Sequence, residues 1–233
     1  MTFAQLRLKR SRLAEFERSV RRERALVALF DHGQRRRFGW YVARCNAFVL
    51  FAGYAIAGLL STAGDRAALS HTLLQRALVM LSWGVGAPAA LAAARALAEH
   101  ADRDALATLA VQRGCSKWSL LRARSLAVAV RIARLVALPA ILLVAIALLR
   151  GAPLPWALAV LPAVIVYASA LGLGLALLAY FSAELSVRHA RATLLLLVLA
   201  PYLVSKAYSG VPSLLGLYSG LLSRLLDAGA RLS

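Results

Sequence analysis

Residues 99–124 read EHADRDALATLAVQRGCSKWSLLRAR, a polar stretch, here called the island, that lies between long apolar runs. Acidic residues begin the island and basic residues end it, an order that suits a helix dipole. Leu106 and Leu109 form a short apolar ridge at helical spacing, while Gly114 predicts a helix end and Ser116 a new N-cap. The sequence therefore predicts a short helix, a turn and a second helix start. We expect the island to contact a partner. The plainer alternative is a solvated loop that only connects two membrane spans.

The composition decides the class of protein. Of the 233 residues, 61% are hydrophobic and 16% are charged, and the mean hydropathy is +0.70. These values exceed what a soluble core needs, so we expect an integral membrane protein. The net charge of +18 comes from basic residues that flank apolar runs. The positive-inside rule accounts for that pattern, and we expect no nucleic-acid partner. The two cysteines predict no disulfide framework.

Residues 1–38 are predicted to form a basic amphipathic arm on the cytosolic side, retained in the mature protein, with eleven Lys and Arg before residue 38. Apolar residues at intervals of seven, joined by a phenylalanine, give the arm one apolar stripe that continues to Val27: Leu6, Leu13, Phe16 and Val20. Such a helix is typical of a membrane surface, although a helix packed on a partner protein needs the same stripe. Three arginines then precede the first apolar run: Arg35, Arg36 and Arg37. They predict that the chain lies in the cell inner membrane with its N-terminus in the cytosol.

Residues 39–233 are predicted to form a polytopic all-α membrane helix bundle with five or six spans. Apolar runs predict the first five spans: residues 40–61, 73–94, 135–149, 155–183 and 192–208. The third run is short, so we extend it back past Arg131 and Arg134, whose side chains should snorkel toward the cytosol. Gly-Ala-Pro at residues 151–153 predicts a tight turn. Residues 211–226 predict a short sixth span and a cytosolic C-terminus, with a five-span chain as the alternative.

The sequence lacks the common motifs of catalytic sites. It contains no GxxxxGK[ST] loop for nucleotide phosphates, no HExxH or CxxC pair for a metal and no GxSxG elbow for a nucleophile. We therefore expect a chain that is not an enzyme by itself and binds no cofactor or metal. The fourth predicted span has a small, mildly polar face that indicates close helix packing or, alternatively, a transport route: Tyr167, Ser169, Gly172 and Gly174.

The layout of arm, two spans, island and three or four further spans resembles the permease subunit of a type-2 ATP-binding-cassette (ABC) exporter. The resemblance covers residues 4–209. It implies that the arm is an elbow helix and that the island is a cytosolic coupling helix, which docks into a separate ABC ATPase subunit. It also implies a second permease chain, identical or different, and an ATPase partner that binds the ATP and Mg²⁺.

The resemblance assigns ATPase coupling to residues of the island that match the family's pattern. The charged entry, the apolar ridge, the turn glycine and the basic-aromatic pair before the next span are, in order, Asp102, Arg103, Asp104, Leu106, Leu109, Gly114, Lys117 and Trp118. The family often has Gly-Thr at positions 104–105 and a proline near 114–115, so this chain departs from the docking pattern there. The alternative to a permease is a non-transporting membrane scaffold, whose arm holds a partner protein or anionic lipid. A membrane enzyme comes third.

Overall fold

The structure, a computed structural model, describes residues 21, 25–28, 38–60, 66–100, 117–186, 188–207, 220 and 223–224. The regular structure of these residues is helical, which confirms the predicted all-α class. The helices are α1 Phe38–Leu60, α2 Arg66–Gly84, α3 Gly86–His100, α4 Lys117–Leu149, α5 Leu154–Leu185 and α6 Ala190–Ala207. The predictions for the arm up to residue 20, for Arg35, Arg36 and Arg37, and for most of residues 208–233 fall outside the described part.

Four helical stretches are long and apolar enough to cross a membrane, and they correspond to the first four predicted spans: Gly39–Leu60, Ser70–Ala98, Arg122–Leu149 and Leu154–Leu185. The predicted helical membrane bundle is therefore confirmed. Helices α4 and α5, with 33 and 32 residues, are each about 50 Å long, so they exceed a hydrocarbon core of about 30 Å. Helix α6 forms where the fifth span was predicted, but its apolar part, Ala190–Ala200, is shorter than the other four.

The second predicted span is a helix that is interrupted at Val85, between α2 and α3. Pro88 causes the interruption, because it has no amide hydrogen to donate to the carbonyl of Gly84. The ladder continues on both sides of the gap. The Val85 amide donates to the Leu81 carbonyl at 2.9 Å, and the Ala89 amide donates to the Val85 carbonyl at 3.1 Å. Helices α2 and α3 thus form one span, Ser70–Ala98, that is interrupted near its centre.

A glycine turn connects α4 to α5, as the sequence predicted. Gly151 has φ of 89°, a conformation that L side chains rarely adopt. Its amide donates to the Leu148 carbonyl at 2.9 Å, and the Ala152 amide donates to the Ala147 carbonyl at 3.0 Å. These two bonds make a Schellman motif, which satisfies two of the last four carbonyls of α4. Pro153 follows immediately, where α5 begins and no amide donor is required.

The second span lies at the centre of the bundle. Of its most apolar stretch 56% is buried, against 17%, 22% and 39% for the first, third and fourth spans. Helix α3 packs on α1, α5 and α6, and the most extensive contact joins α4 to α5. Large apolar side chains such as Phe48, Leu138 and Ile165 are exposed on the outer faces. A helix bundle in lipid presents such faces, because the hydrocarbon is as apolar as the side chains.

Candidate functional site

The structure describes the two ends of the island and leaves its middle undescribed. Helix α3 ends at His100, and α4 begins at Lys117, directly after the serine that was predicted as its N-cap. Lys117 and Trp118 therefore lie in the first turn of α4. The other predicted coupling residues, Asp102, Arg103, Asp104, Leu106, Leu109 and Gly114, lie outside the described residues. The end of the bundle that carries His100 and Lys117 is called the island end below.

Contacts between α1 and the second span show how far the island end extends beyond the start of α1. The amide nitrogen Nδ2 of Asn46 donates to the carbonyl of Gly84 at 2.7 Å. A Cβ added at Gly39 would lie 2.6 Å from the Cβ of Ala92. The two helices run antiparallel, so residues at the same height have numbers with a nearly constant sum. The sums are 130 for Asn46 and Gly84 and 131 for Gly39 and Ala92, so both pairs fit one register. Helix α3 continues for eight residues past Ala92, so it ends about 12 Å beyond the start of α1.

The arm contacts α4 at the island end. Leu26 and Val27 pack, half-buried, against a small cluster on one face of α4, formed by Leu120, Ala123 and Ala127. Residues 25–28 are helical. Val27 belongs to the predicted apolar stripe of the arm, so at this position the stripe covers protein. The arm is thereby attached to the helix that leaves the island.

An arginine and a tryptophan join α1 to α4. The guanidinium carbon of Arg131 lies 4.6 Å from the ring centre of Trp40. Trp40 is fully buried and Arg131 is 8% exposed, so the cation–π attraction is worth about 2 kcal/mol in this desolvated setting. Arg134 is exposed, as a snorkelling arginine should be. The prediction of snorkelling was wrong for Arg131, because its guanidinium packs on the ring of Trp40, near the start of α1, inside the bundle.

The opposite end of the bundle carries a second link between the same two helices. Nη1 of Arg150, in the turn after α4, donates to the carbonyl of Gly58. That carbonyl is one of the last four of α1, which lack a partner within the helix. The side chain of Arg150 therefore caps α1 and ties its C-terminus to the end of α4.

A polar layer lies around the interruption at Val85. Asn46 of α1 supplies the hydrogen bond to Gly84 given above, and on the other side the hydroxyl of Ser82 lies 2.7 Å from the hydroxyl of Tyr167 on α5. Ser82 also donates to the Leu78 carbonyl at 2.7 Å. A hydroxyl has a single proton, so Tyr167 is the donor to Ser82. Sequence reasoning missed Asn46 and Ser82, although a proline inside an apolar run indicates that a carbonyl needs another donor.

The small face predicted on the fourth span is divided by the structure. Tyr167 and Gly172 are buried, Gly174 is half-buried and Ser169 is exposed. A Cβ at Gly172 would overlap the Ala129 carbonyl oxygen and would lie 3.1 Å from the Ala133 amide nitrogen. At Gly172 the face serves close packing of α5 on α4, and the packing interpretation is confirmed there.

Four of the polar contacts described above join neighbouring helices. They are made by Asn46, by the Ser82–Tyr167 pair, by Arg150 and by Arg131. No three His, Cys, Asp or Glu side chains of the described residues come together as a metal site requires. No protein-family model, curated protein or solved structure matches the chain.

Proposed function

We propose that the chain is the transmembrane permease subunit of an ATP-driven ABC exporter, and that it moves substrate outward across the cell inner membrane. One observation carries the proposal. The two helices that enter and leave the island, α3 and α4, both continue past the start of α1 and both pack into the bundle. Helix α4 begins fourteen residues before Arg131, the residue that packs on Trp40, which is about 21 Å along the helix axis. A force on the island therefore reaches the spans.

The partners in this proposal follow from what a pump needs. Its energy must come from another chain, since this sequence has no phosphate-binding loop. A cytosolic ABC ATPase subunit that binds ATP and Mg²⁺ docks on the island and makes different contacts in its open and closed states, because only a difference between states can shift the conformation of the permease. A second permease chain, identical or different, completes the translocation path. The cytosolic orientation of the island end follows the basic residues of the arm.

The arm contact favours the permease over the scaffold. A scaffold that holds its partner through the arm needs the apolar stripe to be available. At Val27 the stripe is already covered by Leu120, Ala123 and Ala127 of α4. An arm fixed to the first turns of α4 suits an elbow that braces the helix leaving the island.

Purification in mild detergent, followed by mass spectrometry, tests the proposal. We expect an ATPase with a GxxxxGK[ST] loop to co-purify with the chain and to hydrolyse ATP in the complex. The variant Leu109→Asp should release that ATPase or abolish stimulation of its activity by the permease, because burial of a carboxylate in an apolar docking cleft costs several kcal/mol, about 2 to 7 even for an uncharged polar group. Leu109→Met, which keeps an apolar side chain of similar volume, is the matched control.

Two outcomes contradict the coupling role. One is an unchanged yield of complex together with unchanged ATPase activity in the Leu109→Asp variant. The other is co-purification of partners that contain no nucleotide-binding chain. Either result would favour a scaffold, whose partner does not depend on the island.

A further inference from the structure

The interruption of the second span is completed by a side chain from a neighbouring helix. Pro88 leaves the Gly84 carbonyl without its usual donor, and Asn46 of α1 supplies the missing hydrogen bond at 2.7 Å. A backbone bond of this kind opens only when the helix itself unwinds. A side-chain bond from another helix opens when the two helices move apart. The hydrogen bond of the Gly84 carbonyl therefore depends on the contact between α1 and the second span.

The packing at the interruption depends on glycines on both sides of it. A Cβ at Gly84 would lie 2.9 Å from Cδ1 of Leu50 on α1, and a Cβ at Gly86 would lie 2.9 Å from Cδ1 of Leu175 on α5. The two leucines therefore pack directly on the backbone next to Val85, one from each side. Both contacts are made by the ends of flexible side chains, which can follow a change in helix direction without a backbone clash.

We propose that the second span is a hinged helix that bends at Val85, and that Asn46 is the latch that holds it in the form seen here. Both halves are packed in the bundle. Ser82 of the α2 half is hydrogen-bonded to Tyr167 of α5, and the α3 half packs on α1, α5 and α6. Asn46 holds the end of the α2 half at Gly84, and the α3 half leads to the island end. When the Asn46 bond opens, the two halves change direction relative to each other at Val85. The inference concerns the hinge alone and does not depend on which partner, if any, binds the island.

Spin labels on either side of the hinge measure the bend directly. Met80 on α2 and Arg95 on α3 are both exposed, and their fifteen-residue separation spans about 22 Å in a straight helix. Val166 and Phe181 on α5 are also exposed, and they have the same separation with no intervening proline. The two pairs are introduced separately as cysteines in the full chain after both native cysteines are replaced. Each distance distribution is then measured by pulsed electron spin resonance.

The hinge variants are Asn46→Leu, Pro88→Ala and the double variant. Asn46→Leu keeps the branched shape of the side chain and removes the donor, so we expect the 80–95 distribution to broaden and shift to shorter distances while the 166–181 distribution stays unchanged. Pro88→Ala restores a backbone amide for the Gly84 carbonyl. In that background Asn46→Leu should no longer shift the 80–95 distance, because the helix closes the gap by itself.

Tyr167→Phe tests the specificity of the rescue. It removes the hydrogen bond to Ser82 without touching the Gly84 carbonyl, so any shift it causes should persist when Pro88→Ala is added. If Asn46→Leu does not fold but the double variant does, the latch is also supported, since the restored backbone bond replaces it.

Four outcomes overturn the inference. They are an unchanged 80–95 distance in Asn46→Leu, an equal shift with and without Pro88→Ala, a parallel change in the 166–181 pair, and failure of both Asn46→Leu variants to fold. The last three would make Asn46 a general packing residue.

Discussion

Alanine at Gly172 perturbs the most extensive helix contact of the bundle, that between α4 and α5. The added Cβ would overlap the Ala129 carbonyl oxygen, and it would lie 3.1 Å from the Ala133 nitrogen and 3.2 Å from the Ala133 Cβ. The oxygen and the nitrogen belong to the backbone of α4. They cannot rotate out of the way, so the two helices must separate to admit one methyl group.

The size of the effect follows from two opposing contributions. An extra carbon in a closely packed core costs about 1 to 3 kcal/mol. Alanine in place of glycine within a helix gains up to about 1 kcal/mol, because alanine loses less backbone entropy on folding. With the full helix gain we therefore expect Gly172→Ala to lower the free energy of unfolding by about 0 to 2 kcal/mol, and by about 1 to 3 kcal/mol relative to alanine at an unobstructed helical glycine.

Reversible unfolding in mixed micelles, followed by circular dichroism, measures this change. Gly53→Ala is the matched control, because nothing lies within 4 Å of a Cβ at that position of α1. It should leave the stability unchanged or raise it by up to about 1 kcal/mol. Equal stability of the Gly172→Ala and Gly53→Ala variants would refute the close approach of α5 to α4 at this glycine.

Three further predictions concern the basic residues, the arm and the tail. In the same unfolding assay, Arg131→Leu should cost about 1 to 2 kcal/mol through loss of its stacking contact, whereas exposed Arg134→Leu should cost less; equal costs would contradict a specific role for the stacked arginine. A peptide of residues 1–30 should be unordered in buffer and become helical on anionic vesicles, with binding weakened by salt; helix formation only with a protein partner would rule out an interfacial arm. A cysteine at Ser233, with the native cysteines replaced, should resist a membrane-impermeant thiol reagent in intact cells if residues 211–226 form a sixth span, and labelling from outside would mean five spans.

The spans could be predicted from the sequence because the membrane leaves the backbone few choices. Within lipid every amide and carbonyl must be bonded inside the protein, so a long apolar run becomes a helix. The first predicted span, residues 40–61, corresponds to Phe38–Leu60, and the fourth, residues 155–183, to Leu154–Leu185. Charges at the ends of the runs made the helix lengths harder to predict. The third span was expected to extend from its apolar part, residues 135–149, back past Arg131, and α4 begins still earlier, at Lys117. Arginines are tolerated where a helix leaves the hydrocarbon or meets an aromatic ring.

The contacts between spans could not be predicted in the same way. In a soluble helix, hydrophobic periodicity separates the buried face from the exposed face, but here lipid and protein interior are equally apolar. Exposed Phe48 and buried Trp40 lie on the same helix, and neither residue type reveals which faces a neighbour. The donor for the carbonyl that Pro88 leaves open comes from Asn46, 38 residues away from Gly84. Only the packing of α1 on the second span brings these groups together.

The described contacts tie α1 both to α4 and to the second span. Helices α1 and α4 are tied at two levels, by Arg131 on Trp40 near the island end and by Arg150 on the last turn of α1 at the other. Two ties far apart along a helix resist tilting, so α4 should move together with α1. Asn46 also links α1 to the second span at the interruption, and α1 packs on both halves of that span. If the span bends as proposed, the bend therefore lies between its two halves, while α1 and α4 keep their direction relative to each other.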